Sequence, residues 1–290
     1  MKKTIIASII CAFVIGSVSA QENITYSKGE KDFSVIMPKT GDFALGLDMA
    51  NFIKSINNSI TNAASANTVV AVKTDIFGKY FLADRSALRF RVGVGIDNYT
   101  NRQFVRDDVA NLLDPLLGGD PITEIKTVDV RKVRNTTLEL GIGYEYRRTL
   151  WRVQGYAGAE VFGAFNLHRD IFEYGNPMTE TNTHPTFDPL ADPNNPLPAF
   201  NGYRPLESVR GNTMSLGAAL YIGADFFICR NLSIGAEFEL EGRYNRTGEL
   251  SMKTESWLLE QAYVTEEKIK PITSSFQFRP LGRLNLFIYF

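Results

Sequence analysis

Charged side chains recur at every second position in several stretches of this chain. Arg89 and Arg91 stand in "LRFRVGVGI" (88–96), and Glu237, Glu239, Glu241 and Arg243 in "LSIGAEFELEGRYNR" (232–246). Asp97, Glu139, Glu145, Arg152, Glu160, Asp225, Arg279 and Arg283 occupy matching positions elsewhere. Two kinds of chemistry suit such a set. Charges along an open path would conduct ions. Charges removed from water would need partners, and with both signs present they would pair with one another.

Other residues could do different work. His168 and Asp170 lie close together in "NLHRDIF", a pairing that could serve a hydrolase. No serine completes an H-x-S arrangement, and His184 stands in a proline-rich stretch. The expectation is no catalytic constellation and no enzyme. "FDPLADPNN" (187–195) offers Asp188, Asp192, Asn194 and Asn195, oxygen donors suited to calcium. Their spacing fits no EF-hand loop, so a solvated loop is expected, with no metal and no cofactor. The basic run "RKVR" (131–134) could meet lipid phosphates, although a solvated strand end is the preferred reading.

These side chains need elements to position them. In 88–96, Leu88, Phe90, Val92, Val94 and Ile96 fall on one face and Arg89, Arg91, Gly93 and Gly95 on the other. That is the period of a β-strand. The same scheme runs through 41–50, 135–147, 151–167, 213–227, 232–246 and 275–290, and less clearly through 77–84. About eight strands are predicted. Short links fall near 84–86, 147–150 and 228–231. Long ones cover about 52–70, 106–126, 173–212 and 250–270. Residues 51–67 read as loop, and 176–205, rich in proline, as an irregular surface loop.

The start of the chain reads differently. "MKK", an apolar stretch, and small residues at Val18 and Ala20 predict a signal peptide over 1–20, cut before Gln21. Residues 21–40 would form a short polar periplasmic segment and 41–290 the fold. Cys229 is then the remaining cysteine, and no internal disulfide is available. A net charge of −1 gives no reason to expect nucleic acid as a partner.

Alternation alone does not say which face points inward. The glycines decide. Gly93, Gly95, Gly141, Gly143, Gly158, Gly217, Gly223 and Gly235 share the charged face. An eight-stranded barrel has an interior just wide enough for side chains. Long charged residues fit there only beside small ones. The apolar face carries aromatics near strand ends, namely Tyr144, Tyr146, Trp151, Tyr244 and Phe290, as an interfacial girdle would. Leu284, Leu286, Ile288 and Phe290 alternate up to the last residue.

With these residues, 41–290 resembles the small OmpA/OmpX-like outer-membrane β-barrel superfamily. The phrases "GDFALGLDM", "FGKYFLADRSALRFRVGVGI" and "LGRLNLFIYF" are similar to barrels common in Bacteroidetes. The resemblance implies an all-β, eight-stranded, antiparallel up-and-down transmembrane barrel in the outer membrane. It implies contact with outer-membrane lipids, and recognition of Leu284, Leu286, Ile288 and Phe290 by the barrel assembly machinery. It implies architecture more than activity. A structural or interaction role is expected, possible partners including an envelope protein, with a small channel or transporter as the alternative.

Overall fold

The computed structural model describes residues 36–61, 68–113, 124–187 and 203–290. The expected signal peptide and most of 21–40 lie outside them, as do Asp188, Asp192, Asn194 and Asn195. In chain order the elements are β1 (Phe43–Asp48), α1 (Met49–Thr61), β2 (Thr68–Ala83), β3 (Ser86–Arg106) and α2 (Asp108–Leu113). They continue with β4 (Lys126–Leu150), β5 (Val153–Glu173), β6 (Tyr203–Cys229), β7 (Leu232–Thr247), β8 (Leu250–Leu258), β9 (Gln261–Lys270) and β10 (Thr273–Tyr289).

The strands form one antiparallel sheet. Neighbours run β5, β4, β3, β2, β1, β10, β7, β6, and β6 pairs back onto β5. Eight strands therefore close a ring. β8 and β9 are not a second layer. β6 pairs with β7 up to Thr213↔Thr247 and then with β8 from Val209↔Ser251. β8 thus continues the lane of β7, and β9 continues that of β10. β7 gives way to β8 at residues 248–249. There Gly211 and Gly248 approach so closely that a Cβ on Gly211 would strike the Gly248 backbone.

Four predicted loops are corrected. Residues 250–270 form a hairpin, although neither face of "KTESWLLEQAYVTEEKIK" is consistently apolar. This hairpin lies beyond the apolar belt, and every residue of β9 is exposed, so no core face was there to produce alternation. Residues 51–61 are helical, and β2 begins at Thr68. The loops at 106–126 and 173–212 are shorter than expected, because β4 starts at Lys126 and β6 at Tyr203. The strands of 25 and 27 residues in β4 and β6 far exceed the roughly 9–11 residues that cross a bilayer.

The hairpin tip is strained. Leu259 and Glu260 both take left-handed backbone angles, φ 49° and 62°. Two-residue turns of this shape favour Asn-Gly. Replacing Leu259-Glu260 by Asn-Gly is expected to stabilise the hairpin by about 1 kcal/mol. Slower protease cleavage at the tip would register it.

β1 stops after 6 residues for a local reason. Asp48 caps α1, its Oδ1 accepting from the backbone N–H groups of Ala50 (3.1 Å) and Asn51 (3.4 Å). An aspartate at this place satisfies helix donors that have no partner within the helix. Met49, predicted on the apolar face of the strand, opens the helix instead.

Parity around the ring is consistent. Phe90, Leu140, Leu220, Phe238 and Leu284 point outward and are exposed, and so do the aromatics Tyr144, Tyr146, Tyr244 and Phe290. Inward positions are buried. At the short-turn end the filling is aromatic. Phe77, Phe81, Phe227, Phe287 and Tyr289 pack with Ile36 and Met37, which precede the first strand. The end of the expected polar segment thus packs into the mouth of the barrel.

Candidate functional site

The lumen holds the charge set in tiers. At the short-turn end, Lys79 lies 3.3 Å from Glu145 and 3.4 Å from Asp225. Arg147 reaches the same two carboxylates at 3.0 and 2.8 Å. In the middle, Arg89 grips Glu237 with two nitrogens at 2.6 and 2.9 Å. Tyr156 donates to the same carboxylate at 3.0 Å. Arg91 meets Glu160 at 2.6 Å and Glu139 at 2.8 Å. Arg283 bridges Glu237, Glu239 and Asp75. Nearer the long-loop end, Arg243 pairs with Glu139 and Glu241.

Aromatic rings separate the cations. Lys79 Nζ sits 4.4 Å from the Tyr156 ring and 4.0 Å from Phe287. The Arg89 guanidinium lies between Phe77 (4.4 Å) and Tyr221 (4.2 Å). Phe162 meets both Arg91 and Arg243, their guanidinium carbons 5.1 and 4.8 Å from its ring centroid. A guanidinium suits this position because it stacks on rings while its edge binds carboxylates.

Small residues create the space. A Cβ on Gly141 would strike the Glu160 carboxylate, and one on Gly235 would strike Asp225. Side chains from every strand of the ring reach into this half of the lumen, most of them fully buried. Above it opens a cavity of about 590 Å³, lined by Asn135, Asn166, Ser215 and Asn245 among others.

Most of the predicted lumen charges meet here: Arg89, Arg91, Glu139, Glu145, Glu160, Asp225, Glu237, Glu239, Glu241, Arg243 and Arg283. Asp97 and Arg279 are placed higher, on the cavity wall. Arg152 is a correction. It falls in the turn after β4 and donates to the Ile228 carbonyl at 3.4 Å. The strand register starts only at Val153, so parity counted from Trp151 fails for the turn. Lys79, Arg147 and Asp75 were missed. Lys79 sits between Phe77 and Phe81 on an inward face that is otherwise aromatic, so charge no longer marks that face.

The long-loop end has its own polar contacts. Arg131 turns inward, binds Asp170 at 2.8 Å and stacks on Phe172. Lys132 pairs with Glu173. The "RKVR" run thus lies within β4 and is partly consumed by internal pairs, in place of the solvated strand end expected. His168 lies 3.4 Å from Asp170, which Arg131 also holds. His184 is exposed and contacts Thr183. Leu284, Leu286 and Ile288 face outward and alternate with inward Asn285, Phe287 and Tyr289, while Phe290 donates its N–H to Phe43. Among the described residues no group of His, Cys, Asp and Glu is placed to hold a metal ion.

Asn176 and Asp108 tie the loops together. Asn176 is buried and donates to the carbonyls of Arg106 (2.7 Å) and Thr186 (2.8 Å). Asp108 accepts from Thr186 N–H at 2.6 Å and Asn182 at 2.9 Å. Partial burial pushes the Asp108 carboxyl up, but these hydrogen bonds outweigh it and hold the group below the usual carboxylate range. Because the folded value is depressed, the contribution is full above the ordinary aspartate pKa. It is lost as pH falls through the folded value. Hydrogen-exchange protection in 176–187, taken against the intrinsic rate at each pH, is expected to fall on acidification below about pH 4, and an Asp108→Asn variant should show less of that change.

An exterior this apolar over a polar, filled interior is stable in a bilayer rather than in water. The fold and its lumen thus define a membrane-type β-barrel. No protein-family model and no curated protein matches the chain. Among solved structures, the crystal structure of the outer membrane protein OprG from Pseudomonas aeruginosa is similar over 88% of this chain and 98% of its own. The identity is 10% and the TM-score 0.34.

Proposed function

We propose that this chain is an integral outer-membrane β-barrel whose lumen is structural and whose working surface is the sheet and loops at the long-loop end. In this reading the short turns are periplasmic and the long loops extracellular. The function is structural or interactive: a scaffold, or an accessory subunit of an envelope complex, rather than an enzyme. Outer-membrane lipids surround it. The barrel assembly machinery reads its last strand, where Leu284, Leu286, Ile288 and Phe290 present the apolar edge.

The observation that carries this reading is the pairing of Lys79, Arg147, Arg89 and Arg91 with carboxylates across the lumen at 0–1% side-chain exposure. An ion path needs water and free charge at that level. The alternative, a small channel or transporter, draws on the cavity above. Planar-bilayer recording separates the two. The scaffold reading expects no steady conductance, and a large stable open state overturns it.

Purification of the tagged protein in mild detergent, with co-purifying proteins quantified, tests the partner. A stoichiometric envelope protein is expected. Deleting 188–202 removes no residue of a described strand and no described partner of Asn176, so it is expected to spare folding and remove that protein. Recovery of the barrel alone counts against an accessory role.

A further inference from the structure

The barrel wall is incomplete on one side. β1 pairs with β2 only as far as Leu47↔Ile76, and with β10 only as far as Asp48↔Asn285. Beyond that level β2 continues for eight residues and β10 for twelve, each bonded on one side, to β3 and β7. Among the described residues the lane between them holds no strand. α1 lies in this lane and touches both β2 and β10; on the β2 edge the Ser55 hydroxyl accepts from Lys73 N–H (2.9 Å) and lies 3.0 Å from its carbonyl. Pro280, which has no N–H, sits in the β10 edge. The gap stands at the height of the apolar belt, since Phe276 and Phe278 of β10 point outward at 60% and 72% exposure. Open sheet edges do not face hydrocarbon without something to cover them.

The cavity passes through this gap. It is lined by lumen residues and also by Val72, Val94, Ile96 and Gly282, which parity assigns to the outward face. An added Cβ at Gly282 would meet nothing within 4 Å. Three cations from three elements stand on the same walls: Lys54 of α1, Lys73 of β2 and Arg279 of β10. Among the described residues none of them forms an ion pair. The facing carboxylates Asp75, Glu139 and Glu241 are held by Arg91, Arg283 and Arg243. Asp97 is the one carboxylate on the wall outside such pairs among the described residues. The spare charge is therefore positive. Cations at membrane depth are costly without an anion, and the volume lies within the usual range for a small-molecule site, about 300–1,000 Å³.

We propose that this cavity binds an anionic amphiphile, a long acyl chain ending in a carboxylate or phosphate, which enters sideways from the outer leaflet between β2 and β10. Its head group sits among Lys54, Lys73 and Arg279. Its chain leaves past Val72 and Gly282. The site goes beyond the scaffold reading and does not depend on any protein partner.

The test uses the full barrel in a nonionic detergent with cis-parinaric acid, a fluorescent fatty acid, as probe. Saturable binding is expected, displaced by stearate or by lysophosphatidic acid. Octadecanol (the same chain without charge) and butyrate (the charge without the chain) are expected to displace it poorly. The triple change K54Q/K73Q/R279Q should weaken binding by about tenfold or more. Gly282→Trp, which fills the gap, should weaken the long-chain probe to a similar degree. Each of the following overturns the proposal: no saturable binding, equal displacement by octadecanol, or equal displacement by butyrate, which would mean a soluble anion entering from the mouth. A folded Gly282→Trp barrel that binds like wild type overturns lateral entry. Folding is scored by heat-modifiable gel mobility. If Gly282→Trp does not fold, the four competitors on the wild-type barrel decide alone.

Discussion

Replacing Arg89 by alanine is expected to destabilise the barrel by about 3–5 kcal/mol, the range for removing one partner of a buried ion pair. Arg89 is fully buried and holds both oxygens of Glu237. Its loss leaves that carboxylate to Arg283, at 3.3 Å, and to the Tyr156 hydroxyl. It also opens a void between Phe77 and Tyr221, the two rings that sandwich the guanidinium. The measurement is the urea midpoint for loss of the heat-modifiable folded band. The informative partner is a double change, Arg89→Met with Glu237→Leu. Apolar replacement of a whole buried pair is often neutral or better, so the double variant should recover much of what the single one loses. If the double variant is as unstable as the sum of its parts, the pair is not the unit that matters. Arg283, which also reaches Glu237, would then be the next residue to change.

The strand alternation was readable because membrane barrels place apolar residues on every second position. Most charged lumen residues followed from parity alone. The signal failed where its physical cause was absent. At the short-turn end, Phe77, Phe81, Phe287 and Tyr289 fill the interior, so both faces of the strand look apolar and Lys79 is hidden among them. In β8 and β9 the sheet leaves the belt, so neither face must be apolar. The short β1 was legible only through Asp48, whose capping role competes with the alternation of Leu45, Leu47 and Met49. The gap it leaves is a fact of pairing between distant strands. No local pattern reports which neighbour a strand lacks.

The second large effect concerns glycine. Tyr156 is paired across the sheet with Gly223, and Tyr221 with Gly158. Each ring lies over the glycine of the opposite strand, the two centroids 6.3 Å apart. A Cβ on Gly223 would meet the Tyr156 ring at 2.5 Å and the Ala236 carbonyl at 2.7 Å. One contact is a side chain, the other backbone, so no rotamer change relieves both. Tyr156 also covers Lys79 and donates to Glu237, and a displaced ring therefore disturbs two tiers of charge. Gly223→Ala is expected to cost about 3 kcal/mol, the upper part of the usual range for overpacking. Gly282→Ala offers the contrast within the same barrel. Its Cβ would enter open space, and loss of glycine's freedom in the unfolded chain favours the folded state slightly. The same substitution should then be strongly destabilising at 223 and neutral or mildly stabilising at 282, read from the two urea midpoints. Equal midpoints would mean that tyrosine-over-glycine packing does not hold this wall.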